Sequence, residues 1–178
     1  LQAEQSSCYG TTSNGRLEHG VKLPTSGGNF VIYSELAGLL GRTYVHGTVR
    51  DIVVKAYEAL QKTHPGKVFK YAETGFADGG PFKPHKTHQN GLSIDFMVPV
   101  IDSKGRSTHL PTHAFNKYGY DIEFDAKGRY EEYRIDYEAM AAHIVALHKA
   151  AKAHKAKIWR VIFDPQLQPD LFKTAQGK

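Results

Sequence analysis

The 178-residue chain holds a single cysteine, Cys8, so no disulfide can close within it, and cysteine usage does not distinguish a reducing compartment from an oxidising one. Cys8 reads as an ordinary thiol. No apolar run approaches the roughly 20 residues that cross a bilayer, which argues against a membrane-spanning helix. The N-terminus has neither an initiating Met nor a signal-peptide pattern, so a removed leader or a shortened chain is expected. Three motif classes are also missing: there is no Gly-x-Ser-x-Gly elbow, no phosphate-binding loop and no dinucleotide fingerprint. Serine-hydrolase, phosphoryl-transfer and Rossmann readings therefore lack support. No internal repeat and no low-complexity segment is read from the sequence.

What is present fits one water-soluble domain spanning 1–178, with 40% hydrophobic and 23% charged residues. The formal charge of +5 favours polyanionic partners, among them nucleic acid, anionic lipid and the carboxylates of a cell wall. The basic cluster Lys149, Lys152, Lys155 and Lys157 has no interleaved aromatics and reads as a solvated helix face, so nucleic acid is not expected as a partner.

Residues 1–30 read as an irregular N-terminal arm, with turn chemistry at Ser13-Asn14-Gly15 and Gly27-Gly28 around Leu23-Pro24. Helical spacing of Val49, Ile52, Val53, Ala56 and Leu60 predicts a helix over 48–63, capped by Thr48 and stopped by Pro65-Gly66. Val68, Phe69 and Tyr71 suggest a strand, followed by a Gly- and Pro-rich loop over 75–84. Residues 91–98 alternate as a strand would, with Leu92, Ile94 and Phe96 on one face and Ser93 and Asp95 on the other. The polar stretch 101–134, with loop tips at Lys104-Gly105 and Lys127-Gly128, reads as an insertion or lid facing substrate. Tyr137, Met140, Ala141, Ile144, Leu147, His148 and Ala151 predict a second helix over 136–154, with His148 packing near the stripe. Ile158 to Phe163 reads as a short buried strand ended by Asp164-Pro165. Together these predict an α+β fold in which a small antiparallel sheet, including 91–98 and 158–163, packs on two main helices with the chemistry on its open face.

The stretch from His85 through His88 to Asp95 places two imidazoles and a carboxylate within one loop-strand unit, and these are zinc-type ligands. Spacing alone is weak evidence in a chain with ten histidines. Read without further context, His85 and His88 would cap or hydrogen-bond the strand, with Asp95 in a structural ion pair.

The wording around them is more specific. Gly79-Gly80-Pro81-Phe82, followed by His85-Lys-Thr-His88-Gln-Asn-Gly-Leu-Ser-Ile-Asp95, resembles the signature of the penicillin-insensitive murein endopeptidases. The likeness extends to Ser13-Asn14-Gly15 and Leu23-Pro24 upstream, and downstream to Arg160-Val-Ile-Phe-Asp164-Pro165. The resemblance implies a zinc peptidase that cuts the D-alanyl to diaminopimelate cross-link of peptidoglycan. His88 and Asp95 would be zinc ligands, and His85 the site-lining catalytic histidine that contacts substrate or the developing oxyanion. It also implies a periplasmic or secreted location, for wall remodelling or as a delivered antibacterial effector, the latter with an immunity or inhibitor protein as partner.

The family draws its third zinc ligand and a proton carrier from a His-x-His pair after the Arg-x-x-x-Asn-Pro strand, and the sequence to Lys178 has none. Three explanations stay open: a C-terminal segment beyond Lys178 supplies it, another histidine substitutes, or catalysis is lost and a murein-binding module remains. For substitution His109 and His113, four apart, are the candidates, while His46, His64, His143 and His154 sit in bland contexts.

Overall fold

The computed structural model describes residues 4–178. Strands β1 (Ser7–Thr11) and β2 (Asn14–Glu18) form an antiparallel hairpin, followed by β3 (Val21–Lys22), β4 (Phe30–Ile32), the short helix α1 (Glu35–Leu39) and β5 (Tyr44–Val45). The long helix α2 (Gly47–Thr63) leads to β6 (Phe69–Tyr71); then come β7 (Val100–Ile101), β8 (Ser107–Thr108), a 3-10 segment (Ala114–Gly119), β9 (Arg129–Tyr130) and β10 (Tyr133–Ile135). Helix α3 (Tyr137–Ala153) and the short α4 (Gln168–Phe172) complete the chain. Mixed helices and small sheets make this an α+β fold.

Helix α2 forms where the spacing predicts, burying Ile52, Val53, Ala56, Tyr57 and Leu60. Its cap differs from expectation: Nδ1 of His46, not Thr48, accepts the Thr48 amide at 3.1 Å. An imidazole nitrogen serves as well as a hydroxyl there because it also carries a lone pair.

Helix α3 is capped by Asp136, whose Oδ1 accepts the Ala139 amide and whose Oδ2 pairs with Lys67 at 2.5 Å. Its buried stripe is rotated from the predicted one, comprising Ala139, Ala142, His143, Ala146 and Ala150 together with Ala141 and Ala151. Small side chains let α3 lie close against α2, so the bulkier Met140, Ile144 and Leu147 turn to the flank and His148 to solvent. His143, whose sequence context is bland, is fully packed among Tyr57, Phe69 and Phe96.

The sheets depart most from expectation. The N-terminal arm is not irregular, since it carries the β1/β2 hairpin closed near Ser13-Asn14-Gly15. The core pairing is parallel, β4 on β6, with Phe30 opposite Phe69 and Ile32 opposite Tyr71. The antiparallel four-stranded sheet, in order β8-β7-β10-β9, is built mainly from the stretch read as an insertion or lid. Its two tips share the five-residue word Asp-x-Lys-Gly-Arg, at 102–106 and 125–129. In each, the Asp side chain accepts the amides two and four residues on.

Residues 91–98 form no regular strand. They run antiparallel beside the end of β6 through a bridge between Tyr71 and Phe96 and bonds from Ala72 N to Asp95 O (2.7 Å) and Asp95 N to Glu73 O (3.0 Å). Ile94 and Phe96 pack on the core as the alternation predicts, but Leu92 is exposed. Residues 158–163 are neither strand nor buried, and Trp159 (81%) and Ile162 (85%) face solvent. Apolar composition gave the strand reading, yet no described strand lies alongside to complete a ladder.

Candidate active site

The site is assembled at the end of the β4/β6 pair, where β6 runs out into Ala72-Glu73-Thr74 and the 75–90 loop folds back over it. Gly75 sits at φ +153, and a β-carbon there would lie 2.8 Å from the His88 carbonyl, so only glycine allows this close pass. At Gly79 (φ +68) a β-carbon would lie 2.2 Å from the Gln89 carbonyl. The Gly-Gly-Pro-Phe word thus lets the loop press its backbone against the following segment. It also delivers Phe82, 1% exposed, whose ring packs on Phe76, His85 and His88 at 4.7, 5.7 and 5.5 Å between centroids and lies beneath the Arg42 guanidinium.

His88 is buried and holds a left-handed backbone, φ 71, which costs a non-glycine residue energy and here turns the ring inward. Its Nδ1 donates to the Thr74 carbonyl at 3.1 Å, which leaves Nε2 as the lone-pair nitrogen. That Nε2 lies 3.3 Å from Oδ2 of Asp95, whose carboxylate is about half exposed. Burial works to lower the His88 pKa, but hydrogen bonding and charge from Asp95 outweigh it, with backbone carbonyls helping, so the net shift is upward.

His85 comes within the same space. One donor atom each from His85, His88 and Asp95 lie within 4.8 Å of one another, the one group of this kind among the described residues. A separation near 3.3 Å between His88 Nε2 and Asp95 Oδ2 suits two donors on a tetrahedral cation, for which bonds of 2.0–2.2 Å give about 3.3–3.5 Å. The donor set therefore fits a divalent metal.

His109 and His113 do not join this group. His109 is half-buried with its pKa lowered by burial and by nearby Lys70, and His113 precedes the 3-10 segment as its cap residue. Spacing of four brought them into consideration, but no helix spans the chain between them, so the helical neighbour rule does not bring them together.

A second layer was not read from the sequence. The Glu73 carboxylate, 5% exposed, accepts four donors: Arg42 Nε (2.5 Å) and Tyr33 OH (2.8 Å) on Oε1, and Tyr120 OH (2.8 Å) and His85 Nε2 on Oε2. Burial alone would raise its pKa, but the hydrogen bonds from Arg42, Tyr120 and Tyr33 dominate and bring it to about 2, so it is an anion at neutral pH. The one available signal was an acidic residue interrupting the run after Tyr71. Arg42, Tyr33 and Tyr120 lie up to 87 positions apart in number and nothing local marks them.

A buried imidazole and a part-exposed carboxylate whose donor atoms could hold a cation, beside an imidazole held by an anion, are the kind of groups a hydrolytic metal centre uses. The chain belongs to the penicillin-insensitive murein endopeptidase family, whose model matches residues 8–178. No curated protein matches it. Peptidoglycan is thus the substrate class of its family, and among the described residues no helix is long and apolar enough to cross a membrane.

Proposed function

We propose that the protein is a zinc-dependent peptidoglycan endopeptidase, with His88 and Asp95 as metal ligands and His85 lining the site. The observation that carries this reading is the 3.3 Å approach of His88 Nε2 to Asp95 Oδ2, with a donor atom of His85 within 4.8 Å of both. The nitrogen and carboxylate donors suit zinc better than calcium or magnesium, which take all-oxygen sets. Bound zinc would polarise the scissile carbonyl and lower the pKa of a water toward about 7.

The residues do the rest. Thr74 fixes the His88 tautomer, Phe82 walls the site against water and holds both imidazoles, and half-exposed Asp95 opens it to a large polymer on the free side of its pairing with Ala72. Residues 101–134 act as the substrate-facing insertion of a single domain, with Tyr120 reaching from it to Glu73. Family membership supports the D-alanyl to diaminopimelate cross-link as the bond cut. It also supports a periplasmic or secreted setting, for wall remodelling or as a delivered effector.

The test is digestion of purified murein, followed by chromatography of the muropeptides, with chelator and with zinc restored. Conversion of cross-linked dimers to monomers, lost in chelator and in Asp95→Ala, is expected. Conversion that survives both treatments would rule the reading out, and a protein that binds murein without cutting it would be the binding module instead.

A further inference from the structure

Four donors converge on one buried carboxylate at the edge of the site, and their arrangement fixes the hydrogen-bonding state of His85. Arg42 brings an obligate donor to Oε1 and Tyr33 OH lies on the same oxygen. Tyr120 OH stands 2.8 Å from Oε2 and 2.6 Å from His85 Nε2. Its single proton goes to the carboxylate, because a carboxylate anion accepts only. The remaining contact on Oε2 is His85 Nε2, which must then carry hydrogen and donate. Every lone-pair direction of Glu73 is thus used, and the nitrogen of neutral His85 left with a free lone pair is Nδ1.

The adjacent His88 is locked in the opposite sense, Nδ1 donating to Thr74 and Nε2 free. The two rings stand 5.1 Å apart at 74°, each tautomer set by an acceptor outside the donor group.

We propose that Glu73 is a positioning residue of this site: it holds His85 in the Nε2–H form, so that the lone pair the ring offers is on Nδ1. For its chemistry the proposal rests on the peptidase reading above. Tyr33, Arg42 and Tyr120 keep Glu73 ionised and still, which a bare carboxylate at a part-open site would not be.

Substitution Glu73→Gln makes the inference sharp. Arg42 cannot face an amide NH2, so the Gln oxygen must stay on the Arg42 and Tyr33 side and the NH2 must turn to His85. The ring then has to accept at Nε2, and its hydrogen moves to Nδ1.

The experiment is long-range proton–nitrogen NMR of the imidazoles in metal-free protein, at a pH where both rings are neutral, with steady-state kinetics of the zinc-loaded enzyme alongside. Wild type is expected to show His85 as the Nε2–H form and His88 as the Nδ1–H form. Glu73→Gln should switch His85 alone and lower kcat by about 10–100-fold with KM changed less than about threefold. A wild-type His85 in the Nδ1–H form, or a Glu73→Gln protein with the tautomer unswitched, overturns the proposal. The wild-type spectrum decides this even if the variant fails to fold. Absence of murein cleavage by wild type would count against the peptidase reading, whereas the tautomers, read without metal, bear on Glu73 alone.

Discussion

His143 gives the fold a built-in sensitivity to acid whose size follows from its surroundings. The ring is fully buried between Tyr57 (5.1 Å, stacked), Phe69 and Phe96, and its Nε2 has no hydrogen-bond partner among the described residues. Burial pushes its pKa from 6.5 down to about 3. The folded protein therefore refuses a proton that the unfolded chain accepts throughout that window. Since the unfolded state binds more protons there, stability rises with pH, and the contribution is intact above 6.5 and lost as pH falls toward 3. At 1.36 kcal/mol per pH unit the full span corresponds to about 5 kcal/mol, and at pH 5 the loss is already about 2 kcal/mol. His143→Phe keeps a ring of similar size in an aromatic cage and removes the titration. Urea unfolding of both proteins at pH 7.5 and pH 5, in chelator, is the assay. Wild type should lose about 2 kcal/mol more than the variant between these values. Equal losses in the two proteins would refute the argument that His143 is held neutral by burial.

Three other outcomes are expected. Phe82→Ala should lower stability by about 3–5 kcal/mol, measured by denaturant unfolding, and weaken metal binding, measured by competition with a chelator, because it removes the ring that supports both site imidazoles. Asp136→Ala strips α3 of its cap and Lys67 of its partner and should cost about 1–3 kcal/mol, lowering Tm by roughly 3–10 °C in a thermal melt. His85→Ala should keep the fold by circular dichroism and most of the metal affinity while slowing muropeptide cleavage by about a hundredfold or more.

Elements governed by local pattern were legible in the sequence and those governed by pairing were not. Helix α2 lay where the apolar spacing and Pro65-Gly66 put it, and the Asp136 to His154 span was bounded correctly. The buried face of α3 was misjudged because alanines, which let two helices approach, carry little weight in a hydrophobic pattern. Residues 158–163 have strand composition, but composition does not supply a neighbour, and the apolar side chains stay in solvent. The Asp95 segment failed as a strand for a related reason, since its bonds to Ala72 and Glu73 make a short ladder that ends at the site. The convergence of His85, His88 and Asp95 could be read because they lie in one contiguous stretch of chain. Glu73, Arg42, Tyr33 and Tyr120 could not, because only the fold brings them to one carboxylate.

In the proposed site His88 and Asp95 share one zinc ion. The most direct measurement of this is anomalous X-ray diffraction above and below the zinc edge from crystals of the protein grown with zinc. One anomalous peak is expected about 2.0–2.2 Å from both His88 Nε2 and Asp95 Oδ2. A zinc peak at His109, His113 or another surface histidine, with none between His88 and Asp95, would contradict it.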